Sequence, residues 1–144
     1  MKISRKTLFL AALLVLVLDQ VTKVLIRSWL ELGRSLQLLP FLSITHTQNI
    51  GIAFGFLQFE ALRWVLVLVA LVVVVLIAIS RPEKQHQVVW GLIMGGAVGN
   101  MLDRIVFGPV TDFIAFSFWP AFNIADSALT IGVILLVWHA MKKE

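Results

Sequence analysis

Apolar positions run unbroken through four stretches of the chain, and the polar residues between them recur at one end of each stretch. The first covers residues 7–26, where the pattern continues past Asp19 through Val21, Val24, Leu25 and Ile26, about 20 residues and enough to span a bilayer. Lys2, Arg5 and Lys6 before it imitate the basic start of a secretory signal. No small-x-small cleavage site follows, so a membrane helix is expected instead. Residues 61–79 carry no ionisable group after Arg63, and residues 124–140 form a similar run. The stretch 88–107 differs: Gly91, Gly95, Gly96, Ala97 and Gly99 give it a small-residue face that admits close helix packing.

Residues 27–60 are mixed in composition. Leu42 to Thr47 nearly alternates apolar with polar and is rich in β-branched residues, which predicts a short strand. Asn49 to Phe56 combines glycines with aromatics and reads as a segment lying at the membrane surface. The pattern as a whole predicts an α-helical membrane protein: four transmembrane helices with a small extracytoplasmic β-containing cap over about residues 27–60 and an interfacial segment, in one domain over residues 1–144.

Composition sharpens this. Hydrophobic residues make up 60% of the chain and charged ones only 14%, with a mean hydropathy of +0.96, well outside the soluble range. The net charge of +4 would point to nucleic acid in a soluble protein, but the basic residues cluster beside apolar runs and report topology. Lys2, Arg5, Lys6, Arg81, Lys84, Lys142 and Lys143 fall on one side; Arg27, Arg34 and Arg63 fall on the other. The positive-inside rule then puts both termini in the cytoplasm. Trp29, Trp64 and Trp119 at outer boundaries and Trp90 and Trp138 at inner ones fit an aromatic belt.

This topology gathers the polar residues at the outer level. Asp19 and Lys23 lie four apart near the outer end of the first helix, a spacing that permits an ion pair. Asn100, Asp103 and Arg104 end the third, Asp112 sits in the outer loop, and Asn123 and Asp126 begin the fourth. Ionisable groups beside hydrocarbon are costly and mark functional sites. Two neighbouring carboxylates share one proton, so that one activates water while the other polarises a carbonyl. No cysteine is present, the three histidines are scattered, and neither H-E-x-x-H nor G-x-S-x-G occurs, which leaves hydrolysis by an aspartate pair. Spacing does not choose two from Asp103, Asp112 and Asp126. Asp103, beside Arg104, reads as a structurally paired acid. Asp126 suits a helix-capping role, and Asp112 a solvated loop. Proton or ion translocation is the competing class, but the inner halves of the second and third spans lack the polar path that it needs.

The blocks LDQVTK (Leu18 to Lys23), NIGIAF (Asn49 to Phe54), GNMLDR (Gly99 to Arg104), VTDF (Val110 to Phe113) and FNIAD (Phe122 to Asp126), in this order, resemble the lipoprotein signal peptidase family. The resemblance implies an intramembrane aspartic endopeptidase, signal peptidase II. It would remove signal peptides from bacterial prolipoproteins by cleaving before a diacylglyceryl-modified cysteine. It implies Asp112 and Asp126 as the catalytic aspartates, Asn49, Asn100 and Arg104 as substrate-binding, and Asp19, Lys23, Asp103 and Asn123 as supporting residues. It further implies no metal or cofactor, no nucleic acid partner, contact with membrane lipids, and inhibition by globomycin-type cyclic peptides. The location implied is the cytoplasmic (inner) membrane, with the active site near its outer face. Thirteen residues separate Asp112 from Asp126, a short outer return that Pro120 helps to make.

Overall fold

A computed structural model of the protein describes residues 4–51 and 60–142. Four helices, α1 (Lys6–Trp29), α2 (Glu60–Ile79), α3 (Gln87–Val106) and α4 (Ile124–Met141), carry a four-stranded antiparallel sheet at one end. Its strands are β1 (Ser35–Leu39), β2 (Leu42–Asn49), β3 (Val110–Phe116) and β4 (Trp119–Phe122), in the order β1-β2-β3-β4.

α1, α2 and α4 are long and apolar enough to cross a membrane, and α3 packs against all three. Burial explains the different composition of α3. A helix enclosed by protein need not present hydrocarbon on every face, so α3 can carry Gln87, Asn100, Asp103 and glycines at buried positions. Its close packing is literal: a methyl group added at Gly96 would lie 2.5 Å from the Ala125 carbonyl oxygen on α4. At the end of the bundle away from the sheet, Leu8, Ile77, Val89 and Ile93 form the apolar core.

The expected strand Leu42–Thr47 is present and extends to Asn49. Its pairing with β3 slips between Ile44 and Thr47, and His46 within that irregularity places Nδ1 2.7 Å from the Leu30 carbonyl oxygen, tying the sheet to the end of α1. Two expectations need correction. Asp112 is not in a solvated loop: it lies on β3 paired with Thr47 and is 3% exposed. The short return to α4 is a β3–β4 hairpin, so the cap draws on residues well beyond 27–60. The expected interfacial segment falls largely on residues 52–59, outside the described residues, as do Lys2 and Lys143.

Candidate active site

α4 begins with a reciprocal cap. The Asn123 Oδ1 accepts the Asp126 N–H at 2.9 Å, and Asp126 Oδ2 accepts the Asn123 N–H at 3.3 Å. Such a box satisfies orphan donors at a helix start, and here it also aims the Asp126 side chain. The Asn123 amide then donates to Asp112 Oδ1 at 2.7 Å, to the Thr111 carbonyl at 3.3 Å and to Asn100 Oδ1 at 3.2 Å. Asn100 Nδ2 completes the ring with a 2.7 Å bond to Asp126 Oδ1. Two asparagines thus bridge the two aspartates.

Asp112 is nearly enclosed, and burial, with the Asp126 carboxyl next to it, pushes its pKa from 3.8 up to about 7. Hydrogen bonds from Asn49 and Asn123 oppose that rise by favouring the anion.

A second, fully buried layer supports the first. Lys23 Nζ lies 2.8 Å from Asp19 Oδ2, 3.2 Å from Asp103 Oδ2 and 3.1 Å from Asn100 Oδ1, and Lys23, Asp19 and Asp103 all have no solvent exposure. Asp19 Oδ1 also accepts the Ala125 N–H at 2.9 Å, so α1 helps to cap α4. Asp103 Oδ2 accepts the Thr111 N–H at 3.1 Å, which fixes the strand position before Asp112. The expected partnership of Asp103 with Arg104 is not formed. Neighbours in sequence on a helix point about 100° apart, so Asp103 turns inward to Lys23 while Arg104 donates to the Asn100 carbonyl and lines a cavity.

That cavity, about 740 Å³, has Asn49, Asn100, Arg104 and Asp126 among its polar residues and Leu66, Val69 and Leu129 among its apolar ones. Arg104 Nε is buried there with no hydrogen-bond partner among the described residues. No group of three or more His, Asp or Glu side chains among the described residues is arranged to hold a metal ion.

All nine residues singled out from sequence therefore meet in one region. Sequence reasoning missed Gln20, whose amide joins Asp19, the Gly99 carbonyl and Asp103 at 3.1 to 3.2 Å. It also gave no role to Thr111 or Arg27. Gln20 and Thr111 both lie inside the polar blocks, which was the available signal; Arg27 was visible only as one more basic residue.

The family model described as signal peptidase (SPase) II matches residues 11–142. A lipoprotein signal peptidase of Symbiobacterium thermophilum is 41% identical over 143 residues, covering 92% of this chain and 93% of the relative. One from Thermodesulfovibrio yellowstonii is 37% identical over 134 residues, covering 90% and 91%. A solved bacterial membrane enzyme structure at 2.3 Å superposes with a TM-score of 0.86 at 35% identity, covering 94% of this chain and 88% of that one.

Proposed function

The chain belongs to the signal peptidase II family, and from that membership we propose that Asp112 and Asp126 are its catalytic pair. The chain is a peptidase that removes signal peptides from prolipoproteins. The observation that carries the assignment is the Asn123 bridge, which donates to both carboxylates and so ties Asp112 to Asp126, a residue lining the cavity.

The two carboxyls share one proton near neutral pH, and Asp112, pushed up to about 7 by burial and by Asp126, is the member that holds it in the reacting form. Asp126 lies at the start of α4 and accepts the Asn100 amide at 2.7 Å, which leaves its carboxylate placed to take a proton. Asp126 takes a proton from water as that water attacks the scissile carbonyl, and Asp112 donates a hydrogen bond to the carbonyl oxygen. The tetrahedral intermediate collapses with cleavage of the C–N bond, and the amine leaves with a proton from the pair. Charge balance supports one shared proton: Asp19, Asp103, Asp112 and Asp126 face Lys23, Arg27 and Arg104, so the group is neutral when one carboxyl is protonated.

Asn49, Asn100 and Arg104 hold the extended substrate, with the unpaired Arg104 Nε facing a substrate carbonyl. The apolar cavity wall takes the signal sequence and the acyl chains of a diacylglyceryl cysteine, before which the bond is cut. Globomycin-type peptides compete there. α3 is a fourth span, both termini face the cytoplasm of a bacterial cell, and the site lies near the outer face of the inner membrane. The exposed Trp29, Trp64 and Trp119 at the sheet end fit a membrane boundary at that level.

The test is cleavage of a lipid-modified precursor by purified parent, Asp112→Asn and Asp126→Asn proteins. Loss of product in both variants, with melting temperatures kept, is the expected result. Parental turnover by either variant removes that residue from the pair.

A further inference from the structure

Thr111 is gripped at all three of its polar groups by three different elements. Its N–H donates to Asp103 Oδ2 on α3 at 3.1 Å, its carbonyl accepts from Asn123 at the start of α4 at 3.3 Å, and its hydroxyl accepts from Arg27 Nη1 on α1 at 3.0 Å. Thr111 is 2% exposed and immediately precedes Asp112. The first two grips follow from the pair and its supporting layer. The third does not, because Arg27 lies at the end of α1, outside the polar blocks.

Arg27 is itself held. Its Nη1 lies 3.8 Å from Asp103 Oδ1, and its guanidinium rests over the Phe107 ring, 4.3 Å from the centroid. A charged donor on a planar group that is packed on one face and paired on another has little freedom, so its bond to Thr111 is directional. Threonine is stiff about χ1, and fixing its hydroxyl restricts the backbone on which the next side chain is mounted. Arg27 reaches the pair through Thr111 and Asp103.

We propose that Arg27 is a positioning residue for hydrolysis, acting through the Thr111 hydroxyl to hold Asp112 against Asp126 without touching substrate. The proposal rests on Asp112 being one of the pair. It predicts a loss in the chemical step rather than in substrate binding, because misplacing a reacting group by about 1 Å costs up to about 100-fold in rate.

The experiment measures kcat, KM and melting temperature for Arg27→Met, Thr111→Val, their double variant and Thr111→Ser in detergent, beside Asp112→Asn. Methionine keeps an apolar stem over Phe107 and removes the donor. Valine keeps the shape of Thr111 and removes the acceptor. Expected is a fall of about tenfold in kcat for Arg27→Met and for Thr111→Val with KM unchanged, a double variant no worse than either, and recovery of most of that loss in Thr111→Ser, which keeps the hydroxyl but not the branched Cβ. Parental kcat in Arg27→Met, additive losses in the double variant, a change confined to KM, or losses that follow melting temperature overturn it. Should Thr111→Val not fold, Arg27→Met against Arg27→Lys, which keeps a donor and is expected to recover part of the rate, decides the matter. Parental cleavage by Asp112→Asn instead removes the pair assignment itself, an outcome distinct from any result at Arg27.

Discussion

Lys23 Nζ sits 3.2 Å from Asp103 Oδ2 with neither side chain exposed to solvent. The same ammonium contacts Asp19 at 2.8 Å, so one cation serves two buried anions from different helices. Removing it leaves Asp19 with no cation and Asp103 with only the more distant Arg27 at 3.8 Å, whereas removing the Asp103 charge leaves Lys23 still paired with Asp19. Lys23→Met should therefore cost about 3–5 kcal/mol of stability, the range for breaking a buried ion pair, and Asp103→Asn should cost less. Melting curves of the two variants in one detergent give the comparison; equal or reversed losses would show that Asp19 does not compensate Lys23.

The two carboxyls proposed as the catalytic pair should behave in the opposite way. Asp112→Asn and Asp126→Asn preserve shape, so each should fold and lose activity by on the order of 10⁴-fold, as removal of a member of a catalytic unit does. Asp103→Asn should lose far less in kcat at temperatures below its own melting transition. An inactive but fully stable Asp103→Asn beside an active Asp112→Asn would transfer the second catalytic role from Asp112 to Asp103.

The pH dependence has a definite sign. Asp112 binds its proton more tightly in the folded protein, about 7 against an ordinary 3.8. Between those values the folded state holds a proton that the unfolded state has released, so this group makes stability fall as pH rises through the window. Below 3.8 both states are protonated and the effect vanishes. Asp112→Asn should consequently match or exceed the parent melting temperature at pH 8, with the gap closing towards pH 4. Activity of the parent should decline above about pH 7, where Asp112 loses the proton it needs, and again in acid, where the partner gains one. A rate rising steadily through pH 9 would point to a single general base.

How much of this was legible in the sequence depends on what faces each residue. Hydrocarbon-facing helices announce themselves, and α1, α2 and α4 match the expected 7–26, 61–79 and 124–140 closely. β3 was hidden because Val110, Thr111, Asp112 and Phe113 are all buried: a strand covered on both faces has no reason to alternate. β1 was hidden for the reverse reason, since Ser35 to Leu39 are all exposed, although the alternation Ser35, Leu36, Gln37, Leu38 was there to be read. The polar blocks located the site, but partner choice was not legible. Whether Asp103 meets Arg104 or Lys23 is fixed by the direction each leaves α3, and Lys23 arrives from a helix 80 residues earlier.

Gly99 tests how tightly the supporting layer is built. A methyl group there would lie 2.6 Å from Asp19 Oδ2 and 3.3 Å from Ala125 Cβ. Asp19 cannot retreat cheaply, because Lys23 and the Ala125 N–H hold its two oxygens. Gly99→Ala must then either break that grip or push the start of α4 away from α3, and both displace Asp126. Overpacking of this kind typically costs about 1–3 kcal/mol, and here kcat should fall along with melting temperature. Gly33 is the control. It has φ of +82° but nothing within 4 Å of an added methyl group, so Gly33→Ala carries only local backbone strain of about 1–2 kcal/mol in an exposed turn and should leave kcat unchanged. If both alanine variants lose stability equally while kcat at Gly99→Ala stays parental, the contact of Asp19 with Gly99 does not control the position of Asp126.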